Sequence, residues 1–421
     1  MTSSLSIPRP SWTGSWMSKV NEGDRPLPPA TLRPPRAPRG GSEPSPTPPP
    51  DLTPDLAWAL ATGGPWPDPK ALSGDPRFMA LALQEALKGV GLSSPNPPVG
   101  CVLVKDGRVI GAGVHTRAGD PHAEIMALRD AEARGEDVQG ATAYVTLEPC
   151  CHHGRTGPCT LALIQAGVVR VGVGVRDPNP RVDGGGLAIL RAQGLAVEEG
   201  ILGEACARFH APFFKLIHTG LPWVSLKLAL GSDGALGPEG RPTPVTPPEV
   251  QHLAHALRRA SEAIVVGRHT AEVDDPQLTD RWPFPTAPHR TFYRVVLDRE
   301  GRVPPTARVW QAVQGQPALR AVTGDPQPLR GVEDLHLPPG PGGCSLRHLL
   351  HELAALGVGR VLVEGGGDLA RAFLDQELAD EFHRFQAEIP AGGPAIHLVL
   401  PRSWRLEASA SWRGGRWEVW R

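Results

Sequence analysis

The chain has 421 residues, enough for two or three domains, and its 43 basic and 44 acidic residues nearly cancel to a formal net charge of −1. The cationic excess typical of nucleic-acid-binding proteins is therefore absent, and no apolar run reaches the roughly 18 residues of a membrane span. The six cysteines lack the spacing of a disulfide framework and no secretory signal precedes them. We therefore expect a reduced, cytoplasmic protein that binds neither nucleic acid nor membrane.

Residues 1–74 differ in composition from the rest of the chain. They contain proline clusters such as Pro46-Thr47-Pro48-Pro49-Pro50 and little periodic hydrophobicity. Proline favours an extended, solvated backbone, so we predict a disordered, Pro-rich N-terminal arm. Two alternatives stay open: a docking motif for a proline-binding partner, or a start codon assigned too far upstream, with Met17 as another start. Helical spacing of apolar residues begins near Arg77 and continues to Leu87.

The pattern that follows predicts alternating strands and helices. Residues 99–104 and 109–114 form a hairpin across the Asp106-Gly107 turn. The next elements are predicted as a helix at 123–134, a strand at 142–147, a helix at 160–166 and a strand at 168–173.

One histidine, two cysteines and a glutamate fall at the ends of these elements. His122 and Glu124 lie at the start of one helix, Cys150 follows a strand, and Cys159 begins the next helix. Three protein ligands leave a fourth position for water on a catalytic zinc, which lowers the pKa of that water to about 7. His-x-Glu followed by Pro-Cys-x-x-Cys is the pattern of zinc nucleobase deaminases, whose glutamate moves protons without binding the metal. We predict His122, Cys150 and Cys159 as zinc ligands and Glu124 as the catalytic residue.

The second cysteine departs from that pattern, because Cys159 lies nine positions after Cys150 instead of three. The intervening residues include His152, His153 and Arg155, so we interpret them as a substrate-contacting loop. The alternative is a closed structural zinc knot built from the cysteines and histidines of residues 150–159. That alternative leaves Glu124 without a role.

The second half predicts another alternating α/β unit. We place a boundary near Gly220-Leu221-Pro222, which divides the chain into residues 1–74, 75–218 and 219–421. One more helix is predicted before this boundary, at 186–193. After it, strands are predicted at 223–230, 263–266, 295–298 and 360–363, and helices at 247–259 and 369–374. The glycine loop Glu364-Gly365-Gly366-Gly367 joins a strand to a helix start, where backbone N–H groups bind phosphate. A tight structural turn is the alternative.

In order along residues 75–400, these motifs resemble the bifunctional deaminase–reductase family of riboflavin biosynthesis. The motifs that carry the resemblance are Pro95-Asn96-Pro97, His115, Pro121-His122-Ala123-Glu124, Thr146-Leu147-Glu148-Pro149-Cys150, His152-His153-Gly154-Arg155-Thr156, Pro158-Cys159 and Asp177-Pro178-Asn179-Pro180. The nine-residue cysteine spacing is that family's own. The resemblance implies an α/β protein: a cytidine-deaminase-like three-layer α/β/α domain, then a dihydrofolate-reductase-like α/β domain.

The resemblance also implies two reactions on a small-molecule substrate, with Zn²⁺ and NADPH as cofactors. A phosphoribosylaminopyrimidine is deaminated by hydrolysis, and its ribosyl side chain is then reduced to ribityl. The substrate-binding residues implied for the first domain are Asn96, His115, His152, Arg155, Asp177 and Asn179. Those implied for the second domain are Arg258, Leu278, Arg281 and Glu364, with Ala229, Thr270, Asp274, Gly366 and Gly367 on the cofactor side.

The second half matches the family less closely. Pro242-Thr243-Pro244-Val245-Thr246 stands where the family commonly has Ser-x-Trp-Ile-Thr, so a tryptophan near the nicotinamide is missing. The tail after Ala387 is also unusual. A deaminase with a degenerate reductase half is therefore one alternative. The others are a tRNA or cytidine deaminase and a non-catalytic, zinc-stabilised interaction protein. Members of the family are often multimeric, so a homo-oligomer is a further expectation.

Overall fold

The computed structural model describes Gly64 and residues 67–152, 157–241, 243, 245, 248–280, 290–412 and 414–421. The predicted arm lies almost entirely outside these residues, and so do Arg155 and Arg281. Within the described part, two α/β units follow one another along the chain. The last helix of the first unit ends at Thr219, and Gly220 follows it with a left-handed φ of 69°, which is typical of a residue that caps a helix C-terminus.

The first unit is a five-stranded sheet with helices on both faces. Its elements are α1 (Gly74–Leu87), β1 (Gly100–Lys105), β2 (Arg108–Val114), α2 (Ala123–Ala133), β3 (Thr142–Leu147), α3 (Cys159–Gln165), β4 (Arg170–Val175), α4 (Gly185–Ala192), β5 (Ala196–Glu199) and α5 (Gly203–Thr219). The strand order is β2-β1-β3-β4-β5, with β1 antiparallel to both neighbours and β3, β4 and β5 parallel. The predicted elements are present with ends displaced by a few residues, whereas β5 and α5 have no predicted counterpart.

Side-chain alternation along β1 accounts for the three layers. Cys101 and Leu103 point to one face, where they pack in a core with α2, α3 and α4. Val102 and Val104 point to the other face and pack with α1 and α5. A methyl group at Gly113 would lie 2.3 Å from the Ala123 carbonyl oxygen, so glycine in β2 lets the first turn of α2 lie directly on the sheet.

The second unit is a nine-stranded sheet. Its elements are β6 (Trp223–Leu230), α6 (Pro248–Arg259), β7 (Ala263–Gly267), α7 (Arg268–Val273), β8 (Tyr293–Leu297), a 3₁₀ turn (Arg308–Trp310), β9 (Ala318–Val322), β10 (Glu333–His336), β11 (Pro339–Gly340), β12 (Gly343–Cys344), α8 (Leu346–Ala355), β13 (Arg360–Glu364), α9 (Gly367–Asp375), β14 (Glu381–Ala387), β15 (Leu406–Trp412) and β16 (Gly415–Trp420). The sheet order is β10-β9-β8-β7-β13-β6-β14-β16-β15, and β11 pairs only with β12.

The first seven strands in this order, from β10 at one edge to β14, are parallel to one another. The strand β16 is antiparallel to both β14 and β15. Helices α8 and α9 pack on one face, and α6 and α7 on the other. Because β13 lies between β7 and β6, the strand order changes there. Ligands of open parallel sheets bind at the carboxyl ends of strands beside such a change.

The tail after Ala387 is part of the second unit. Its Ala391 and Gly392 N–H groups donate to the Asp233 carboxylate, 3.1 and 2.8 Å away. Further on, β15 and β16 extend the sheet and place Trp417 in the core. Among the described residues, no helix combines the length and the apolar character needed to cross a bilayer.

Candidate zinc centre and reductase cleft

His122, Cys150 and Cys159 come together beside the first sheet. The His122 Nδ1 atom lies 3.5 Å from the Cys150 Sγ and 3.3 Å from the Cys159 Sγ, and the ligand atoms are all within 4.8 Å of one another. His122 is the N-cap of α2 and Cys159 is the first residue of α3, while Cys150 follows β3. The structure thus brings together the three predicted ligands from separate elements.

This donor set fits a zinc ion. One imidazole nitrogen and two sulfurs are ligands that zinc prefers, and three protein ligands leave a fourth position open. Hydrogen bonds with Cys159 and His122 lower the pKa of Cys150 despite burial, which favours the thiolate that zinc requires. The same bond with Cys150, together with burial, raises the pKa of Cys159, so one proton stays between the two sulfurs until a metal ion replaces it.

The neighbouring Cys151 lies outside the ligand group. Its Sγ contacts the Arg181 carbonyl oxygen at 3.5 Å instead. Among the described residues, the group of possible metal ligands contains neither Cys151 nor the partly buried His152. The described residues therefore give no support to a closed zinc knot.

Glu124 is buried beside the ligand group without belonging to it. Its side chain is only 3% exposed. Burial, and next the charge of Cys150, raise the pKa of Glu124 to about 7. A carboxyl group at this place is positioned to hold or release a proton next to the open ligand position.

Asn96 and His115 lie next to the zinc ligands. The Asn96 Nδ2 is 3.1 Å from the His115 Nε2, and the His115 Nδ1 is 3.2 Å from the Pro121 carbonyl oxygen. These contacts are satisfied together when Nδ1 of His115 carries the proton and Nε2 accepts from the amide. Burial lowers the pKa of His115, which keeps the ring neutral. Its ring meets that of His122 edge-on at 5.0 Å.

The loop that carries Asp177 and Asn179 follows β4. The Asp177 Oδ1 accepts a 2.8 Å bond from the Asn179 N–H. Burial raises the pKa of Asp177 to about 6 against the effect of that bond, and the charges of Glu148 and Cys150 add to the rise. The Asp177 N–H also donates to the carboxylate of Glu148, two residues before Cys150, so this loop lies against the end of β3.

Glu148 is a structural residue of this site that sequence reasoning missed. Its buried carboxylate accepts hydrogen bonds from four backbone N–H groups in the loop after β4 and the first turn of α4. The donors are Asp177 at 3.3 Å, Gly184 at 3.0 Å, Gly186 at 3.0 Å and Leu187 at 3.3 Å. A glutamate shortly before Cys150 thus fixes the loop of Asp177 against the strand end. Its place directly before Pro149-Cys150 was the available signal.

The second unit has a cluster of largely buried, charged side chains at the carboxyl end of β13, which is called the reductase cleft below. The Arg258 guanidinium binds both oxygens of Glu364, at 2.8 and 2.9 Å, and also the Thr279 carbonyl oxygen at 2.9 Å. Lys227 on β6 is the register partner of Glu364. Burial lowers the pKa of Lys227, and Arg258 lowers it further, while Glu364 and Asp274 oppose the shift. These charged groups therefore share one cleft.

A glycine loop borders this cleft. Gly365 and Gly366 have φ angles of 85° and 60°, and Gly367 begins α9. A methyl group at Gly365 would lie 2.7 Å from the Thr270 Oγ1, so this loop passes directly over Thr270. The Ile396 side chain lies 2.8 Å from where a methyl group on Gly367 would be. Backbone N–H groups at a helix start, on glycines that carry no side chain, fit the phosphates of a dinucleotide cofactor.

The structure also describes three other residues of the second unit that were predicted to bind substrate or cofactor. Asp274 follows α7, and burial raises its pKa. Leu278 is 3% exposed and has a left-handed φ of 54°. Ala229 lies on β6 opposite Phe385 and packs on the core that contains Trp417.

Two family models match the chain. The cytidine and deoxycytidylate deaminase zinc-binding region matches residues 72–175, and the RibD C-terminal domain matches residues 222–413. The riboflavin biosynthesis protein RibD of Escherichia coli is 40% identical over 338 residues, which cover 78% of this chain and 91% of that protein. The protein of the same name from Aquifex aeolicus is 39% identical over 319 residues, 74% of this chain and 86% of the other.

Solved structures give the same result. A diaminohydroxyphosphoribosylaminopyrimidine deaminase/5-amino-6-(5-phosphoribosylamino)uracil reductase from Thermotoga maritima superposes with a TM-score of 0.73 at 34% identity, covering 82% of this chain and 98% of that one. Acinetobacter baumannii RibD gives 0.72 at 34% identity, covering 84% and 99%. The predicted fold class, a cytidine-deaminase-like three-layer domain followed by a dihydrofolate-reductase-like domain, is confirmed.

Proposed function

Because this chain belongs to the RibD family of riboflavin biosynthesis proteins, it is a bifunctional deaminase and reductase that uses Zn²⁺ and NADPH, and we propose how its residues divide the two reactions. The first substrate is 2,5-diamino-6-ribosylamino-4(3H)-pyrimidinone 5′-phosphate. The deaminated product is then reduced at its ribosyl side chain. We assign deamination to residues 75–218 and reduction to residues 219–421.

In the deaminase half, His122, Cys150 and Cys159 hold the zinc ion. When bound, zinc supplies an acidified water at neutral pH. Glu124 accepts a proton at its carboxylate and returns it to the amino group, which leaves as ammonia. The observation that carries this proposal is a buried carboxyl group beside the ligand group and outside it.

Recognition of the pyrimidine and its ribosyl phosphate falls to polar side chains around the ligands. Asn96 and His115 lie on the side of His122, and Asp177 and Asn179 on the side of Cys150. His152 follows Cys150 closely, and Arg155 would meet the phosphate, since a guanidinium pairs well with phosphate oxygens.

In the reductase half, NADPH supplies a hydride when bound. Thr270, Asp274, Gly366 and Gly367 are assigned to the cofactor, with Ala229 on the adjoining strand. The substrate-side residues are Arg258, Leu278, Arg281 and Glu364. We assign to Lys227, whose buried amine has a lowered pKa, the proton that the ribose ring oxygen takes up when hydride reaches C1′ and the bond between C1′ and that oxygen breaks. The intact pair of Arg258 with Glu364 favours a working reductase over the degenerate alternative.

We further propose that the enzyme acts in the cytoplasm, apart from nucleic acids and membranes. The balanced charge of 43 basic and 44 acidic residues supports the separation from nucleic acid. Sedimentation of the purified chain would decide whether it forms a homo-oligomer.

One coupled assay tests the function. The diaminopyrimidine phosphate is supplied with and without NADPH, and the products are identified by mass. We expect ammonia and the aminouracil without NADPH, and the ribityl compound with it. The aminouracil alone in both reactions would indicate a degenerate reductase. Ammonia from tRNA or cytidine instead would overturn the substrate assignment, and no turnover with zinc bound would favour an interaction protein.

A further inference from the structure

We propose that Ser94 is a positioning residue for the deaminase site and that the reductase half holds it in place through Gly357 and Gly359. The inference rests on the proposed deaminase function. According to this inference, the reductase half helps to position the residues that bind substrate in the deaminase half.

Asn96, the substrate-side residue, lies in a short loop before β1. Its N–H donates to the Ser93 carbonyl oxygen at 3.0 Å, and the Ser93 hydroxyl donates to the Asn96 carbonyl oxygen at 3.0 Å. Ser93 is 2% exposed. The Asn96 amide in turn contacts His115, whose ring lies against His122. The position of this loop therefore determines where the Asn96 amide meets the deaminase site.

The loop lies on the reductase half. The Ser94 hydroxyl donates a 3.0 Å bond to the carbonyl oxygen of Gly357, 263 positions further along the chain. At the start of the same loop, a methyl group at Gly91 would lie 1.9 Å from the Arg259 carbonyl oxygen, so the two backbones approach too closely for a side chain. Both contacts of this loop with the reductase half, at Gly91 and at Ser94, are made by backbone atoms and one short side chain. The loop therefore has little freedom to shift relative to the reductase half.

The reductase side of this contact is itself fixed. The Glu262 carboxylate accepts the Gly359 and Arg360 N–H groups at 3.0 and 2.8 Å. The Gly359 carbonyl oxygen accepts the Trp223 N–H at 2.9 Å, and the Gly357 N–H donates to Ala354 at 2.9 Å. Ser94 therefore binds an anchored segment between α8 and β13, not a loose loop.

Gly359 offers a way to displace Ser94 without changing the deaminase half. A methyl group there would lie 2.7 Å from the Ser94 Oγ, and its next neighbours would be the Glu262 Oε2 at 3.7 Å and the Ser94 Cβ at 4.0 Å. The backbone of Gly359 is outside the left-handed region, so alanine fits it. Gly359→Ala should therefore move Ser94 and disturb little else.

The experiment compares the full-length, zinc-loaded protein with Ser94→Ala, Gly359→Ala and the double variant. We measure KM and kcat for ammonia release, reduction of supplied aminouracil phosphate, bound zinc, and amide hydrogen exchange of residues 90–99. Gly324→Ala is the matched glycine control, because a methyl group there meets nothing within 4 Å. Arg208→Ala is the contact control, because it breaks the ion pair of Arg208 with Glu407 between the two halves.

We expect Ser94→Ala to raise the deaminase KM roughly 2- to 10-fold, the range for one hydrogen bond, with faster exchange in residues 90–99. Gly359→Ala should raise it at least as much, with zinc content and reductase kinetics unchanged. The double variant should be no worse than Ser94→Ala alone, because the atom that the methyl group strikes is gone. Both control variants should keep the wild-type KM.

Unchanged KM and unchanged exchange in Ser94→Ala and Gly359→Ala would overturn the inference. An equal rise in KM for Arg208→Ala would also overturn it, because general loosening of the two halves would then suffice. Wild-type protein that releases no ammonia from the pyrimidine would instead contradict the proposed function. The exchange measurement would still test the Ser94 contact in that case.

Discussion

The Arg258 guanidinium faces the Glu364 carboxylate through two hydrogen bonds of nearly equal length, 2.8 Å from Nε and 2.9 Å from Nη2. The pair joins the last turn of α6 to the end of β13, and its side chains are 13% and 10% exposed. Two parallel bonds to a planar guanidinium fix direction as well as distance. The two residues therefore form one unit of the reductase cleft.

Removing one member of this pair leaves the other buried without its partner. Such losses typically cost about 3–5 kcal/mol. We expect Arg258→Ala to abolish reduction and to lower the free energy of unfolding, while ammonia release continues. Arg258→Lys keeps the charge without the paired geometry and should fall between wild type and alanine. A fully active Arg258→Ala reductase would show that the pair has no part in the reaction.

The same pair predicts a dependence of stability on pH. Burial alone would raise the pKa of Glu364, but the charge and hydrogen bonds of Arg258 outweigh it and lower the pKa to about 2 from an ordinary 4.5. The stability from Glu364 is therefore present above about pH 4.5 and is lost as the pH falls toward 2, by on the order of 3 kcal/mol. Denaturant unfolding across this range should show the loss, and Glu364→Gln should reduce its slope.

Glu124→Gln tests the proton shuttle. The amide keeps the size of the side chain but cannot carry the proton, so ammonia release should fall about 10²–10⁴-fold. Bound zinc, measured by elemental analysis, should stay at the wild-type amount, and reduction of supplied aminouracil should continue. Glu132→Gln, an exposed change on the same helix, is the control and should behave as wild type. Near-wild-type deamination by Glu124→Gln would exclude the assigned role.

The two adjacent cysteines should differ in their effect on zinc. Cys150→Ser should lose the metal and stop deamination. Cys151→Ser should keep the metal and the activity, because the Cys151 sulfur contacts the Arg181 carbonyl oxygen and lies outside the ligand group. A chelator should reproduce the first result and leave reduction intact. Loss of zinc from Cys151→Ser would support the alternative of a closed structural zinc knot.

Gly365→Ala tests the glycine loop. Alanine at a φ of 85° is strained by about 1–2 kcal/mol, and its methyl group would strike Thr270. We expect NADPH affinity, measured by quenching of protein fluorescence, to weaken roughly 10-fold or more. Ammonia release without NADPH should not change. An unaltered affinity would favour the reading of this segment as a structural turn.

Most of the first unit could be predicted because its strands are apolar and its turns are short. The zinc ligands fall at element ends, so their order along the chain already indicated a common edge. The strand β14 was missed because its sequence is charged. Its Glu381 is fully buried, yet it binds Arg421 at 2.9 and 2.6 Å and pairs with Ser225. Partners this distant in sequence cannot be read from a local pattern.

The candidate site shows the same limit. The residues that we assign to the substrate lie in recognisable motifs. Glu148 lies in one of them too, but the motif does not show which groups its carboxylate binds. Glu148 binds backbone groups across the loop of Asp177, and Ser94 binds the backbone of Gly357. Backbone acceptors and donors leave no trace in the sequence of their partners. Only the folded chain shows these contacts.

The strand order of the two sheets also sets a sequence of events during translation. The five strands of the first sheet come from residues 100–199, so that sheet can form soon after its last strand leaves the ribosome. In the second sheet β6 pairs with β13 and β14, so it waits for residues 360–387. A nascent chain can therefore bring its zinc ligands together well before Gly357, which supports Ser94 in the folded protein, has been synthesised.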